Sequence, residues 1–287
     1  MSEAGNGFTE RATRELARVA AIFAAGEAEG AETYFNWDQR DGDKEVLWLT
    51  KQAGREIEST FTGLKEVVEK VGADFMKSDQ YWVDQWGGDV DRNWLEENLF
   101  RTKQELNHGN RCVDIIEWLT GEPVDIKEVV RRYNRWTPDP SLPDMKEWVR
   151  LAEVFKEQEA RQEPWARLIN SQGLLEGGSC GLFYAASQLS GNELNDRLAE
   201  AFTVVLDDER GHGPANIYQI ADAFTTQEAV DGAKGLMVER GIQRLRMRNE
   251  QFSFPIDEAR IQDIAQGNIG LDVTKAIWGE TLARFID

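Results

Sequence analysis

The sequence is poor in cysteine and proline, and each shortage narrows what the protein can be. It contains two cysteines, Cys112 and Cys180, in 287 residues. Two cysteines are too few for a framework of disulfide bonds, and this predicts a reducing compartment. Only seven prolines interrupt the chain, so long stretches are free to form helices.

The chain also lacks long apolar runs and an excess of positive charge. No apolar run approaches the ~18 residues that a membrane span needs, so we expect no membrane partner. The formal net charge is −19, whereas a nucleic-acid surface needs clustered lysine and arginine, so nucleic acid is not an expected partner either. The polar first residues do not follow the basic-then-apolar pattern of a signal peptide, and this predicts a cytoplasmic protein.

What the sequence does have is helical periodicity. Apolar residues recur at steps of three and four, for example at Ile57, Phe61, Leu64 and Val68, and no segment alternates as a strand does. We predict an all-α protein forming one domain over residues 1–287, with an antiparallel four-helix bundle core at about 43–224 and flanking helices at both ends. The predicted helices span about 8–30, 43–86, 91–120, 124–135, 144–189, 193–224, 226–251 and 257–284. Pro214 should kink the helix at 193–224.

The only two histidines each follow a glutamate by three residues. The pairs are Glu105 with His108 and Glu209 with His212. Two residues three apart on a helix share one face, so each pair can offer a carboxylate oxygen and an imidazole nitrogen to one metal ion. Two such pairs are typical of bundles that hold two iron or manganese ions between carboxylates. With both histidines used in this way, none is left for a hydrolase triad.

A two-metal bundle needs one further carboxylate from each of two other helices. Glu176 is the single acid in an otherwise apolar and small stretch at 174–189, and it precedes Glu209 by 33 residues. In the first half Asp74 fits best, because it precedes Glu105 by 31 residues. Alternatives to Asp74 are Glu69, Glu66 and Glu58. The predicted metal ligands are therefore Asp74, Glu105, His108, Glu176, Glu209 and His212.

Around these residues the chain resembles the soluble acyl-carrier-protein desaturases, within the ferritin-like di-iron superfamily. The resemblance covers about residues 70–250. It is carried by Glu105-Leu-Asn-His108-Gly109, Trp118-Leu-Thr-Gly121, Val124-Asp-Ile126, Glu176-Gly-Gly-Ser179, Leu198-Ala199 and Asp208-Glu209-Arg-Gly-His212.

The resemblance implies a ferritin-like four-helix bundle with two iron ions, or manganese, that activates O2. It implies a ferredoxin-type electron donor, a substrate on an acyl- or aminoacyl-carrier protein or a small-molecule substrate, and a homodimer. The Ser179 hydroxyl would lie near the oxygen-binding face, and Asp208 would hydrogen-bond a histidine ligand. The chain departs from that family by offering Asp74 where the family has a glutamate. Cys112 stands seven residues after Glu105, so we do not expect a tyrosyl radical at position 112.

Three functions follow as expectations. The first is a di-iron oxidase that desaturates, hydroxylates or N-oxygenates an acyl or aminoacyl group. The others are a metal-binding or radical-generating protein without an organic substrate, and a metal-free structural bundle. Two arginine groups are either solvated helix faces or docking patches for an acidic carrier protein. These groups are Arg131, Arg132 and Arg135, and then Arg240, Arg244, Arg246 and Arg248.

Overall fold

The computed structural model describes residues 3–71, 92–134, 137–161 and 176–286. Within these ranges the chain forms eleven α-helices and no strand, so the all-α prediction is confirmed. The helices are α1 (Glu3–Phe35), α2 (Gly42–Val71), α3 (Arg92–Thr120), α4 (Ile126–Tyr133), α5 (Lys146–Ala160), α6 (Glu176–Ser187), α7 (Glu193–Glu209), α8 (His212–Ala223), α9 (Gln227–Gln251), α10 (Glu258–Ala265) and α11 (Asp272–Ile286). None of these helices has both the length and the apolar character that crossing a membrane requires.

The chain divides into two compact units. One consists of Met1–Glu45 with Asp139–Asp287, and the other of Val46–Pro138. In the first unit α1 packs against α6, α8, α9, α10 and α11, and it buries a row of alanines that lets neighbouring helices come close. These alanines are Ala17, Ala20, Ala21, Ala24, Ala28 and Ala31. The prediction of one domain over residues 1–287 stays a prediction.

The break between α7 and α8 has a chemical cause in Pro214. Proline has no N–H to donate to the carbonyl four residues earlier, and its ring crowds that carbonyl, which belongs to Arg210. Arg210 and Gly211 keep right-handed helical dihedrals (φ/ψ −60°/−23° and −80°/−26°) although the helix is interrupted there. The single helix predicted at 193–224 is two helices, and the interruption lies in the turn before Pro214. His212 is therefore the first residue of α8, whereas Glu209 is the last of α7.

Other predicted helix boundaries shift for local reasons. The first helix extends to both sides of the predicted 8–30. The helix predicted at 257–284 is divided between α10 and α11, and Gly267 takes a positive φ of 87° in the connection. The helix predicted at 144–189 corresponds to α5, which ends at Ala160, and α6, which begins at Glu176; residues 162–175 lie outside the described residues. The part of the helix predicted at 43–86 that follows Val71 also lies outside them.

Candidate metal centre

The second unit holds a close helix pair, α2 and α3. A Cβ atom on Gly109 of α3 would lie 2.5 Å from Cγ1 of Ile57 on α2, and one on Gly63 of α2 would lie 2.6 Å from Oγ1 of Thr102 on α3. The α2 positions fall from 63 to 57 as the α3 positions rise from 102 to 109, so the helices run antiparallel. A Cβ atom at either glycine would force the facing Thr102 or Ile57 side chain to move, so glycine favours this close approach.

This close approach brings three metal-binding side chains together. Glu56 lies beside Ile57 on α2, and His108 precedes Gly109 on α3, with Glu105 one turn earlier on the same face. One ligand atom from each of these three residues lies within 4.8 Å of the other two. His108 and Glu56 are buried and Glu105 is half-buried. We call Glu56, Glu105 and His108 the α2–α3 cluster.

The Glu56 carboxylate is held as an anion inside the protein. Burial by itself favours the neutral acid and would raise the pKa of Glu56. The neighbouring His108 imidazole acts in the opposite direction, and its Nδ1 lies 3.8 Å from Oε2 of Glu56. His108, Arg55 and Glu105 together outweigh the effect of burial and lower the pKa of Glu56 to about 2. Gln52, one turn earlier on α2, donates a hydrogen bond from Nε2 to Oε1 of Glu56. Charge, orientation and burial of this carboxylate therefore suit a metal ligand.

The donor set of the α2–α3 cluster fits iron or manganese. Two carboxylates and one imidazole are ligands that these ions accept readily in helical bundles. Cys112 lies one turn beyond His108 and is buried. Burial, with the negative charges of Glu56 and Asp114, raises the pKa of the Cys112 thiol well above its usual value. The neutral thiol is a poor metal ligand beside the three stronger donors.

Glu56 is the residue that sequence reasoning missed. The predicted ligand of this helix, Asp74, lies outside the described residues. Among the alternatives, Glu69 is exposed with its carboxylate 3.6 Å from Nζ of Lys65, and Glu58 is buried and accepts a 2.7 Å hydrogen bond from Thr62. The Glu66 side chain is not among those described.

The predicted apolar stripe on α2 is buried at Ile57 but exposed at Phe61 and Leu64. Phe61 is 57% exposed and Leu64 is 41% exposed, whereas Glu56 and Thr60 are buried. The buried stretch of this helix also contains Lys51, Gln52 and Arg55, so a search for apolar periodicity passes over it. The signal that could have located Glu56 is a glutamate following a glutamine by one helical turn.

No protein-family model matches the chain, and no curated protein or solved structure was found to resemble it.

The second predicted Glu-x-x-His pair lies in the first unit, next to a helical hairpin. α6 and α7 are antiparallel and joined by five residues, and the Phe183 ring of α6 stacks on Phe202 of α7 with centroids 5.8 Å apart. Glu176 is seven residues before Phe183 and Glu209 is seven after Phe202, so the two positions occupy the same level of the hairpin. Glu209 is buried and Asp208 is half-buried, while the side chains of Glu176 and His212 are outside those described.

Ser179 lies in a buried ionic network that the sequence did not predict. Its hydroxyl oxygen accepts hydrogen bonds from Nη2 of Arg244 and, at 3.2 Å, from Nη2 of Arg248, both on α9. Both guanidinium groups also donate to the carboxylate of Glu27 on α1. A serine that accepts from two arginines is fixed in orientation, so its hydroxyl joins three helices of the unit.

The arginine group on α9 is not a surface patch. Arg240, Arg244 and Arg248 are each at most 3% exposed, and only Arg246 reaches the surface, where it pairs with Glu258. Both interpretations of this group as an exposed face are therefore wrong. In the other group, Arg131 is exposed and pairs with Glu128 over 2.7 Å, Arg132 lies 3.9 Å from the same glutamate, and Arg135 is outside the described residues.

Proposed function

We propose that this protein is a di-iron, O2-activating oxidoreductase built on a ferritin-like four-helix bundle. The observation that carries the proposal is the α2–α3 cluster, in which a buried, anionic glutamate meets a Glu-x-x-His pair on an antiparallel helix. The pattern recurs in sequence in the first unit, where Glu176 of α6 and Glu209 of α7 lie at one level and His212 is the first residue of α8. The proposed metal ligands in the second unit are Glu56, Glu105 and His108, and those in the first unit are Glu176, Glu209 and His212.

The bound metal would supply the electrons and the Lewis acidity that reduce O2. The residues of this chain would fix its position. Glu56 brings negative charge, Glu105 and His108 bind from one face of α3, and Gln52 keeps the Glu56 carboxylate in one orientation. Close packing of α2 and α3 around Gly109 would exclude water from this side of the site.

The substrate class in the proposal is an acyl or aminoacyl group that is desaturated, hydroxylated or N-oxygenated at a C–H or N–H bond. A ferredoxin-type protein would supply electrons, and the substrate would arrive on a carrier protein or as a small molecule. The expected homodimer and cytoplasmic location belong to the same proposal.

The test is the metal content of the full chain purified from iron-supplemented cells, followed by reduction and exposure to O2. We expect close to two iron ions per chain and an absorption band that depends on O2. Two iron ions without O2 consumption would favour metal storage instead. Less than one ion per chain after reconstitution with Fe(II) would refute the proposal.

A second prediction concerns Gln52. Replacing Gln52 by leucine removes the hydrogen bond to Oε1 of Glu56 while keeping the side chain of similar size. We expect the affinity for Fe(II), measured by competition with a chelator, to fall about 10- to 100-fold, as is usual when an outer partner of a ligand is lost.

Thr62→Val is the matched control for this prediction. It removes a hydrogen bond to Glu58 on the same helix, one that does not involve the cluster, so the affinity should stay unchanged. Equal affinities for Gln52→Leu and the unmodified protein would show that Gln52 does not orient a metal ligand.

A further inference from the structure

Arg240 is a buried cation between α5 and α9. Arg240 is only 1% exposed to solvent. The Nε atom donates a hydrogen bond to Oε1 of Gln158 on α5, and the guanidinium carbon lies 4.7 Å from the centroid of the Phe155 ring. α5 and α9 are also joined at the N-terminus of α5, where the Glu250 carboxylate of α9 accepts hydrogen bonds from the first backbone N–H groups of α5.

Arg240 differs from the other buried arginines of α9 in its partners. Arg244 and Arg248 both bind Glu27. Within the part of the chain that the structure describes, Nη2 of Arg240 is buried and has no hydrogen-bond acceptor, and no carboxylate forms an ion pair with this side chain. The adjacent Glu239 is engaged elsewhere, by Arg161 at 2.9 Å and by Nε2 of Gln158 at 2.9 Å.

A buried guanidinium without a carboxylate partner is costly. Burial lowers the pKa of Arg240 to about 10, although the charges of Glu159 and Glu239 act in the opposite direction. The group is therefore still a cation at neutral pH, and it cannot avoid the cost by losing its proton. The ring of Phe155 offsets part of this cost through a cation–π interaction, but it supplies no acceptor for the Nη atoms.

The guanidinium group has one nitrogen, Nη2, that lacks an acceptor among the described residues. Gln158 engages Nε, and Phe155 covers one face of the plane. Nη2 remains without an acceptor, and the planar guanidinium group is suited to binding the oxygens of an oxyanion there. A single positive charge with no paired carboxylate among the described residues is matched by a monoanion, which favours a carboxylate over the doubly charged phosphate.

We propose that Arg240 is the anchor of a binding site for the carboxylate group of a small organic acid. Gln158 fixes the direction of the guanidinium group and Phe155 packs against its face. This site does not depend on the proposed metal centre, and a chain without metal should bind the acid equally well.

The experiment measures the melting temperature of the full chain in sodium acetate against sodium chloride of equal ionic strength. We expect acetate to raise the Tm by about 5 °C once its concentration is about 100-fold above Kd. Sodium phosphate should have a smaller effect. A response to phosphate alone, or no response beyond that of chloride, would overturn the proposal.

Two variants complete the test. Arg240→Met should lose the acetate response and should melt at the same or a higher temperature without acetate, because the substitution removes a buried charge that has no paired carboxylate among the described residues. An arginine with only a structural role would instead lower the Tm when replaced. Arg246→Met, on the exposed side of the same helix, should keep the full acetate response. A retained response in Arg240→Met would contradict the assignment.

A direct measurement covers the case in which Arg240→Met does not fold. Carbon-13 NMR of labelled acetate should show line broadening on addition of the unmodified protein. The broadening should be weaker with Gln158→Leu, because this substitution removes the hydrogen bond that orients the Arg240 guanidinium group. Unchanged acetate lines with the unmodified protein would overturn the proposal.

Discussion

Replacing Glu56 by glutamine should lower the affinity of the chain for Fe(II) by about 100-fold or more. The substitution keeps the size of the side chain and removes its charge, which is what a metal ion binds. Loss of an outer hydrogen-bond partner alone typically costs 10- to 100-fold in affinity, so loss of a ligand should cost at least that much. The measurement is a competition titration with a chelator under anaerobic conditions.

Two matched substitutions show whether the effect is specific to Glu56. Glu69→Gln alters an exposed glutamate of the same helix that interacts with Lys65, and it should leave the affinity unchanged. Asp74→Asn tests the ligand that sequence reasoning favoured, and we expect little effect from it as well. A large loss with Asp74→Asn and none with Glu56→Gln would restore Asp74 as the ligand from the first helix.

Replacing Gly181 by alanine should destabilise the protein by about 3 kcal/mol or more, since overpacking a close contact usually costs 1–3 kcal/mol and here the obstacle is backbone. An added Cβ would overlap the carbonyl oxygen of Ala24 on α1 and lie 2.9 Å from the backbone nitrogen of Ala28. Backbone atoms cannot rotate away, so α6 would have to separate from α1. The free energy of unfolding from urea titrations measures the effect.

Gly235→Ala is the control for this experiment. Gly235 also lies inside a helix, α9, and a Cβ there would meet nothing within 4 Å. Alanine should stabilise the protein by about 0.4–1 kcal/mol, because it restricts the unfolded chain without a clash. Equal effects of the two substitutions would mean that α1 and α6 are not held at close distance.

The sequence predicted what depends on neighbours along the chain. Helical periodicity and the scarcity of proline indicated an all-α protein, and Pro214 indicated the interruption between α7 and α8, because the missing N–H acts on a carbonyl only four residues away. Glu105 and His108 were likewise predictable as a pair, since three residues along one helix place two side chains on one face.

The tertiary structure decided which charged residues are buried. Glu27 and Arg244 are 217 residues apart in the chain, and no local pattern predicts that they form a pair in the interior. Arg240, Arg244 and Arg248 therefore resembled a surface patch in sequence, because a charged side chain is buried only where a distant helix provides a partner or a ligand does.

The same distinction applies to the candidate metal centre. α3 carries two of its ligands in a recognisable spacing, whereas Glu56 comes from a helix that packs closely against α3 at Gly63 and Gly109. Glu56 can meet the pair only in the register that these two helices adopt. That register depends on which two helix surfaces can approach most closely, a property of two surfaces together. The sequence by itself determined the helices and the Glu-x-x-His pair, and the packing of α2 against α3 selected the carboxylate that meets it.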